Sequence, residues 1–278
     1  SHNMRTALNT ILGFTNLALG TDDIIQIHDC LRKIKFSGKQ LLSLINDTIE
    51  LRKIASNDIV YRKSPLNLAF FLEKIAEPFQ NAADAKKIQF NVKLQNFEDP
   101  WLLGDKSSLQ KIFNNLISNA IKFTPESGSI TLSAQYMPEA EDGCNVKFSV
   151  QDSGIGIAPN ILPTIFEPFS QVQKSQNSPG TGLGLAIVKQ LTTSLGGHVQ
   201  ACNAPEGGTI FSVFLPLPNG EKTSVEIIKS VENKICLNGK TVLLCEDNLL
   251  NREIAMVLLE QMGLHVFCAV NGKEGVKT

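Results

Sequence analysis

The first guide to this sequence is what it has little of. No two of its six cysteines (Cys30, Cys144, Cys202, Cys236, Cys245, Cys268) form a Cys-x-x-Cys pair. That excludes the usual zinc spacings and a small disulfide-stapled scaffold, and predicts reduced, mostly buried thiols. Neither sign of charge is in surplus. A formal net charge of −1 leaves no electrostatic footprint for nucleic acid or an anionic membrane surface, so any phosphate must be held by local features. No apolar run approaches the ~18 residues needed to span a bilayer, and no signal peptide, internal repeat or low-complexity tract is present. What remains is a folded composition, 42% apolar and 19% charged over 278 residues, rich enough in core and long enough for two or three compact units. The chain opens inside a helical pattern and stops in mid-motif, so both ends read as cut from something longer. The segment is expected to be cytoplasmic, and an anchor elsewhere in a longer protein is compatible with it.

From Met4 the apolar residues Leu8, Ile11, Leu12, Ala18 and Leu19 recur at helical spacing. "GTDD" breaks that helix and supplies an Asp cap for a second one, in which Ile27, Leu31, Ile34, Gly38, Leu41, Ile45 and Thr48 step by threes and fours. Two long helices on a short loop make an antiparallel hairpin whose seam is too narrow to stand alone, so pairing with a second copy into a four-helix bundle is expected. "ASNDIVYRKSPLN" reads as a linker. Residues 67–218 mix helical segments with short strands ("IQFNVKL", "SITLSAQ", "NVKFSVQ", "HVQACNA", "TIFSVFLPL"), which predicts a layered α/β sandwich. After a charged linker, "TVLLC" is the continuous apolar run of a strand buried on both faces, opening a βαβ unit that forty residues cannot complete. The expected division is 1–55 helical hairpin, 56–66 linker, 67–218 α/β sandwich, 219–238 linker and 239–278 the start of a further domain.

Three elements could carry chemistry. The helix after Asp105 has a core stripe (Leu109, Ile112, Phe113, Leu116, Ile117, Ala120) and a polar one, Asn115, Asn119 and Lys122. Two Asn on a helix usually only face solvent, but a carboxamide oxygen can bind a hard cation and a lysine can neutralise phosphate. Asp152 ends a strand directly before "SGIGIAPN". That is either an Asx turn or a carboxylate that accepts the amine of an adenine beside glycines that let backbone approach a flat ring. "PGTGLGLAIVKQL" sets glycines before a helix, where bare amides suit phosphate; alone it could equally be a hinge.

In this order the segments resemble a family. "NNLISNAIKFT", "DSGIGI", "IFEPFSQ" and "GTGLGLAIVKQL…GGTIFSVFLPL" are similar to the ATP-binding domain motifs of sensor histidine kinases, within the gyrase, heat-shock and mismatch-repair ATPase superfamily. "SHNMRTALNTILGF" resembles their phosphoacceptor motif, and "VLLCEDNLLNREIA" the start of a receiver. The resemblance implies a hybrid histidine kinase: a helical hairpin forming a four-helix bundle on dimerisation, an α/β sandwich ATP-binding domain, and a truncated flavodoxin-like βα receiver start. His2 would take the γ-phosphate of ATP. Asn119 would coordinate Mg²⁺, with Asn115 and Lys122 on the phosphates and Phe123 against the adenine face. Asp152 would bind the adenine amine, helped through water by Thr209. Gly154, Gly156, Ile157 and Phe166 belong to the adenine-side motifs. "SQVQKSQNSP" would be a mobile ATP lid, closed through Gly180, Thr181, Gly182, Leu183, Gly184 and Leu185. Glu246 and Asp247 would be a receiver's Mg²⁺-binding carboxylates. The implied partners are a second copy and a receiver domain, its own or that of a separate response regulator. Any sensor lies upstream, and no nucleic acid is implied.

Three positions depart from the pattern. Asn3 stands where the family has an acid that orients the imidazole and takes its proton, and an amide cannot act as that base. Thr6, at the phosphatase position, is retained. Ala7 replaces a proline, keeping a backbone donor and removing a source of kinking, and Pro179 replaces a common lid glycine. "SH" before Met also has the form of a tag remnant, but the match continues through Arg5, Thr6, Leu8 and Asn9. Two readings therefore stand: a kinase that autophosphorylates His2, and an ATP-binding dimeric pseudokinase of regulatory or phosphatase type.

Overall fold

The computed structural model describes residues 2–56, 61–98, 101–137, 144–170, 181–221 and 239–276; the side chains of His2, Asn3 and Ala55 lie outside that description. The chain divides into two units, 1–223 and 224–278.

The first unit begins with helix α1 (His2–Leu19), closed where the Gly20 amide donates to Asn16 and Leu17 carbonyls. Asp23 then caps α2 (Ile24–Ala55), its Oδ1 accepting the Ile25 amide at 2.9 Å, which satisfies a donor the helix cannot. The hairpin is as expected, and Ile27, Ile34, Leu41 and Thr48 of the predicted seam are partly buried, but the positions between them differ. Cys30, Ser37 and Leu44 are the α2 residues buried toward α1, together with Ala7, a seven-residue repeat one position earlier than the predicted Leu31, Gly38 and Ile45. Leu31 and Ile45 are exposed, as are Leu8, Leu12, Leu42 and Ile49. The apolar periodicity of α2 is wide enough for two stripes, and the sequence alone does not say which faces inward.

The predicted linker is the larger correction. Ser64–Asn67 is a strand, β1, and Leu66 within it is buried at 2% exposure. Next come α3 (Leu68–Ala85), capped by Asn67, β2 (Gln89–Gln95), β3 (Trp101–Gly104) and α4 (Lys106–Phe123). β3 pairs antiparallel with β1. β4 (Ser129–Tyr136), β5 (Val146–Asp152), α5 (Gly184–Ser194), β6 (His198–Asn203) and β7 (Thr209–Leu215) complete the unit. The main sheet runs β2-β4-β5-β7-β6, parallel at the β2–β4 edge and antiparallel elsewhere. Its strands alternate, with Ile130, Leu132, Phe148, Val150, Phe211 and Val213 buried. These meet Leu72 and Ile75 of α3, Ile112, Phe113 and Leu116 of α4, and Ile187 and Leu191 of α5 in one core, as a sheet with one apolar face requires. Ile54 of α2 joins that core, so the hairpin's second helix is packed into the α/β layer.

The second unit has β8 (Thr241–Cys245), α6 (Leu249–Gln261), β9 (His265–Ala269) and α7 (Gly272–Gly275), with β8 and β9 parallel and Asn248 capping α6. β8 departs from expectation: Leu243 is 44% exposed and Thr241 and Cys245 are also exposed. Burial on both faces needs cover on both, which two helices do not supply. No helix of the described residues is long and apolar enough to cross a membrane.

Candidate functional site

The site is built around α4, which is tied at both ends. At its start, Oδ1 of Asp105 accepts the Ser108 amide and Oδ2 the Arg62 amide, each at 2.7 Å. Burial pushes that carboxyl up, but the amides, the Ser108 hydroxyl and Lys111 outweigh it, and the net shift is downward. At its end, the Lys86 ammonium donates to the carbonyls of Ile121, Lys122 and Thr124 at 2.7, 3.3 and 3.2 Å, satisfying acceptors left open by the helix and opposing the negative end of its dipole. So held, α4 buries its apolar stripe and presents the polar one. Asn115 Nδ2 donates to the Lys111 carbonyl at 3.0 Å. The Lys122 ammonium lies 4.9 Å from the Phe123 ring centroid, within cation–π range, and partial burial lowers its pKa.

β5 delivers Asp152 to the same place. The residue is buried at 4% exposure. Its Oδ1 accepts the Gly154 amide at 2.8 Å and the Thr209 amide at 3.2 Å, while Oδ2 receives no hydrogen bond from the described residues. Burial raises this carboxyl above the ordinary aspartate range, against the two amides that lower it. Gly154 is obligatory: a Cβ there would lie 2.6 Å from the Phe123 carbonyl oxygen, so the loop after Asp152 rests on the C-terminus of α4. Gly156 has φ +70°, a conformation costly for any side chain with a Cβ. Ile157 is buried, and Phe166 meets Phe211 edge-on with centroids 6.2 Å apart.

The start of α5 closes the group. Gly182 has φ +71° and accepts, through its carbonyl, the Phe169 amide at 2.8 Å. A Cβ on Gly184 would stand 2.5 Å from Asn115 Oδ1, which puts the α5 N-terminus directly against the polar stripe of α4. No side chain caps α5, so its first amides remain available to an anion. Thr181 Oγ1 accepts the Leu183 amide at 3.2 Å, Leu183 is buried and Leu185 packs at the core margin.

The structure thus brings together Asn115, Lys122, Phe123, Asp152, Gly154, Thr209 and Gly184. Asn119 shares the α4 stripe and is partly buried. Gly180 and residues 171–179 lie outside the described residues, as do the side chains of His2 and Asn3. Thr6 stands one turn along α1, its carbonyl accepting the Thr10 hydroxyl. In the second unit, Glu246 Oε1 accepts the Asn248 amide at 3.2 Å and the Asn251 side-chain amide at 3.4 Å. Among the described residues no three His, Cys, Asp or Glu side chains gather as a metal site.

Several contributors were missed in the sequence. Lys86 lies 35, 36 and 38 residues before the carbonyls it caps, with no local signal. Asn203 bonds both the N–H and the C=O of Ile157, and looked like a mere strand end. On α2, Glu50 pairs with Lys111 of α4 at 2.6 Å, and Asp47 hydrogen-bonds Thr181; burial pushes the Asp47 carboxyl up against that bond. Such pairings across elements leave no trace in periodicity.

Residues 1–57 match the His Kinase A (phospho-acceptor) domain family, and residues 104–219 the histidine kinase-, DNA gyrase B- and HSP90-like ATPase family. The chain is 36% identical to the sensor protein GacS of Pseudomonas syringae pv. syringae over 267 residues, covering 95% of this chain and 29% of that protein. It is 31% identical to the sensor protein TorS of Escherichia coli K12 over 280 residues, covering 100% and 29%. The structure is similar to full-length ShkA in complex with AMPPNP, with a TM-score of 0.60, 28% identity, and coverage of 100% of this chain and 56% of that one. The chain therefore spans less than a third of the length of these two curated relatives.

Proposed function

Since the chain belongs to the histidine kinases, as a phospho-acceptor domain joined to an ATPase domain, we propose that it is the ATP-dependent core of a hybrid two-component kinase. It transfers the γ-phosphoryl group of ATP to His2 and relays it to an aspartate of a receiver, its own or a separate regulator's. Residues 1–55 serve dimerisation and phosphoacceptance, 67–218 with the preceding strand residues 64–66 form the ATP-binding domain, and 239–278 begin a flavodoxin-like receiver, with 56–63 and 219–238 between them.

The observation that carries this reading is Asp152: a buried carboxylate with one oxygen committed to two amides and the other open. That oxygen accepts the exocyclic amine of adenine, with Thr209 assisting through water; guanine would set a carbonyl oxygen against it. Phe123 lies against the ring, beside Gly154, Gly156, Ile157 and Phe166. Lys122 and Asn115 neutralise and bind the phosphates, aided by the bare amides of α5 and by Thr181, Gly182, Leu183, Gly184 and Leu185. Residues 170–179, with Gly180, act as the lid. The donor set of Asn119, a single carboxamide oxygen, suits a hard cation that keeps most of its water and shares phosphate oxygens; bound there, Mg²⁺ would neutralise charge on the transferring group. Glu246 and Asp247 would supply carboxylate oxygens to a second Mg²⁺ in the receiver start.

In the transfer, a neutral imidazole nitrogen of His2 bonds to the γ-phosphorus as the bond to the bridging oxygen breaks and ADP leaves, so positioning and charge neutralisation dominate. The imidazole proton goes to solvent, because Asn3 cannot accept it. Incubation with γ-labelled ATP and Mg²⁺ should give an acid-labile, base-stable phosphate that His2→Gln abolishes; label persisting in that variant sinks the assignment. Asn3 favours a second reading, an ATP-binding dimeric regulator of phosphatase type. A large gain of labelling in Asn3→Glu from a near-silent parent would select it.

A further inference from the structure

The geometry points to Asn203 as a positioning residue of the nucleotide site: its carboxamide clamps Ile157 and so fixes the loop that carries the adenine-binding face. Asn203 Oδ1 accepts the Ile157 amide and Nδ2 donates to the Ile157 carbonyl, both at 2.8 Å. This is the donor–acceptor pair that a neighbouring strand would supply, at a place where no strand runs. The loop from Asp152 to Ile157 is therefore tied at two points. At its start Gly154 donates to Asp152 Oδ1, and at its end the clamp holds Ile157, whose side chain is anchored in the core. Between the ties, Gly156 takes φ +70°, and a Cβ there would sit 3.2 Å from Asn203 Oδ1.

The clamp is itself well held. Asn203 ends β6 in register with Thr209. A tight turn follows, with the Gly207 amide donating to the Ala204 carbonyl and the Ala204 amide to the Gly208 carbonyl, both at 3.0 Å, and with Gly207 and Gly208 at φ +99° and +90°. Gly208 is packed so closely on the Asp152 carbonyl that no Cβ fits, and the next residue, Thr209, donates to the Asp152 carboxylate. One hairpin end thus grips the adenine-binding loop from both sides. Beside it lies a cleft of about 510 Å³ between the loop and the turn. That open space leaves the carboxamide, rather than packing, to set the loop's position on this side.

This inference rests on the adenine role of Asp152, and the test separates the two. Affinities for ADP and GDP, melting temperature and amide exchange at Ile157 would be measured on the full chain and on Asn203→Ala, Asn203→Asp and Asp152→Asn. Asn203→Ala should raise the Kd for ADP about tenfold, the effect of losing roughly two neutral hydrogen bonds, with a much smaller change for GDP and faster exchange at Ile157. Asn203→Asp keeps an acceptor for the Ile157 amide but sets a carboxylate oxygen against the Ile157 carbonyl, and should raise the Kd for ADP at least as much. It decides the matter should Asn203→Ala fail to fold. ADP affinity within twofold of the parent in either variant, while Asp152→Asn loses it, overturns the clamp. Equal losses for ADP and GDP also overturn it, because they mark a general structural role. Undiminished ADP binding in Asp152→Asn, with Asn203→Ala impaired, overturns the adenine assignment and leaves the clamp standing.

Discussion

Asp152 meets opposing demands. Burial disfavours its ionised form, yet two backbone amides and, on the proposed reading, an adenine amine all favour that form. Its pKa is raised, so it takes up a proton at a higher pH than an exposed aspartate, near 3.9, would. Adenine preference is therefore present above the raised value and lost as pH falls through it. The ratio of ADP to GDP affinity isolates this effect, because phosphate titration is common to both nucleotides. The ratio should collapse as pH falls through that raised value in the parent and should be small and flat in Asp152→Asn. The same sign governs stability. An ionised carboxylate held in a site that raises its pKa weakens the fold above that pKa, and the penalty fades as pH falls from there to the ordinary aspartate value. Asp152→Asn should therefore melt no lower than the parent without nucleotide at pH 7, and a clear drop would make the residue a structural cap instead.

At the scale of elements, what the sequence discloses depends on whether an element's determinants are local. α4 was readable: Leu109, Ile112, Phe113, Leu116 and Ile117 are all buried as the period demands, and Asp105 caps where an N-cap residue should. The alternating strands of the main sheet were readable for the same reason. β1 was not, because four residues containing a proline cannot show a period of two, and only pairing with Trp101–Gly104 makes them a strand. Half of the α2 seam, Leu31, Gly38 and Ile45, was displaced by one residue because periodicity locates apolar stripes without naming their partners. The site divides likewise. Asp152, Gly154 and the glycines before α5 stand in recognisable strings, whereas Asn203 and Lys86 act on residues far away in the chain. Lys86 offers a quantitative check. Lys86→Met keeps the aliphatic stem and removes three hydrogen bonds at the α4 C-terminus, and should cost about 1–2 kcal/mol in urea unfolding. A change under about 0.5 kcal/mol would mean that water caps those carbonyls as well as lysine does.

For the molecule as a whole, the hairpin has one apolar face more than its own packing uses. Cys30, Ser37 and Leu44 are buried against α1, while Leu31, Leu42, Ile45 and Ile49 of α2 and Leu8 and Leu12 of α1 remain exposed. Each such side chain yields about 1.5–3 kcal/mol on full burial, so a few of them offset the entropy of bringing two chains together. A second copy of the hairpin, docked through the same residues on each partner, would form the four-helix bundle proposed for this domain. Replacing Leu31 and Ile45 by glutamate puts four like charges into that interface without touching the buried Cys30–Ser37–Leu44 seam. The double variant should elute at monomer mass by light scattering, where the parent elutes at twice that mass. ADP binding should survive, because α2 meets the α/β layer through Asp47, Glu50, Leu51 and Ile54, none of which is changed. A parent that is monomeric at tens of micromolar, or a double variant that still dimerises, would mean that some other surface covers this face.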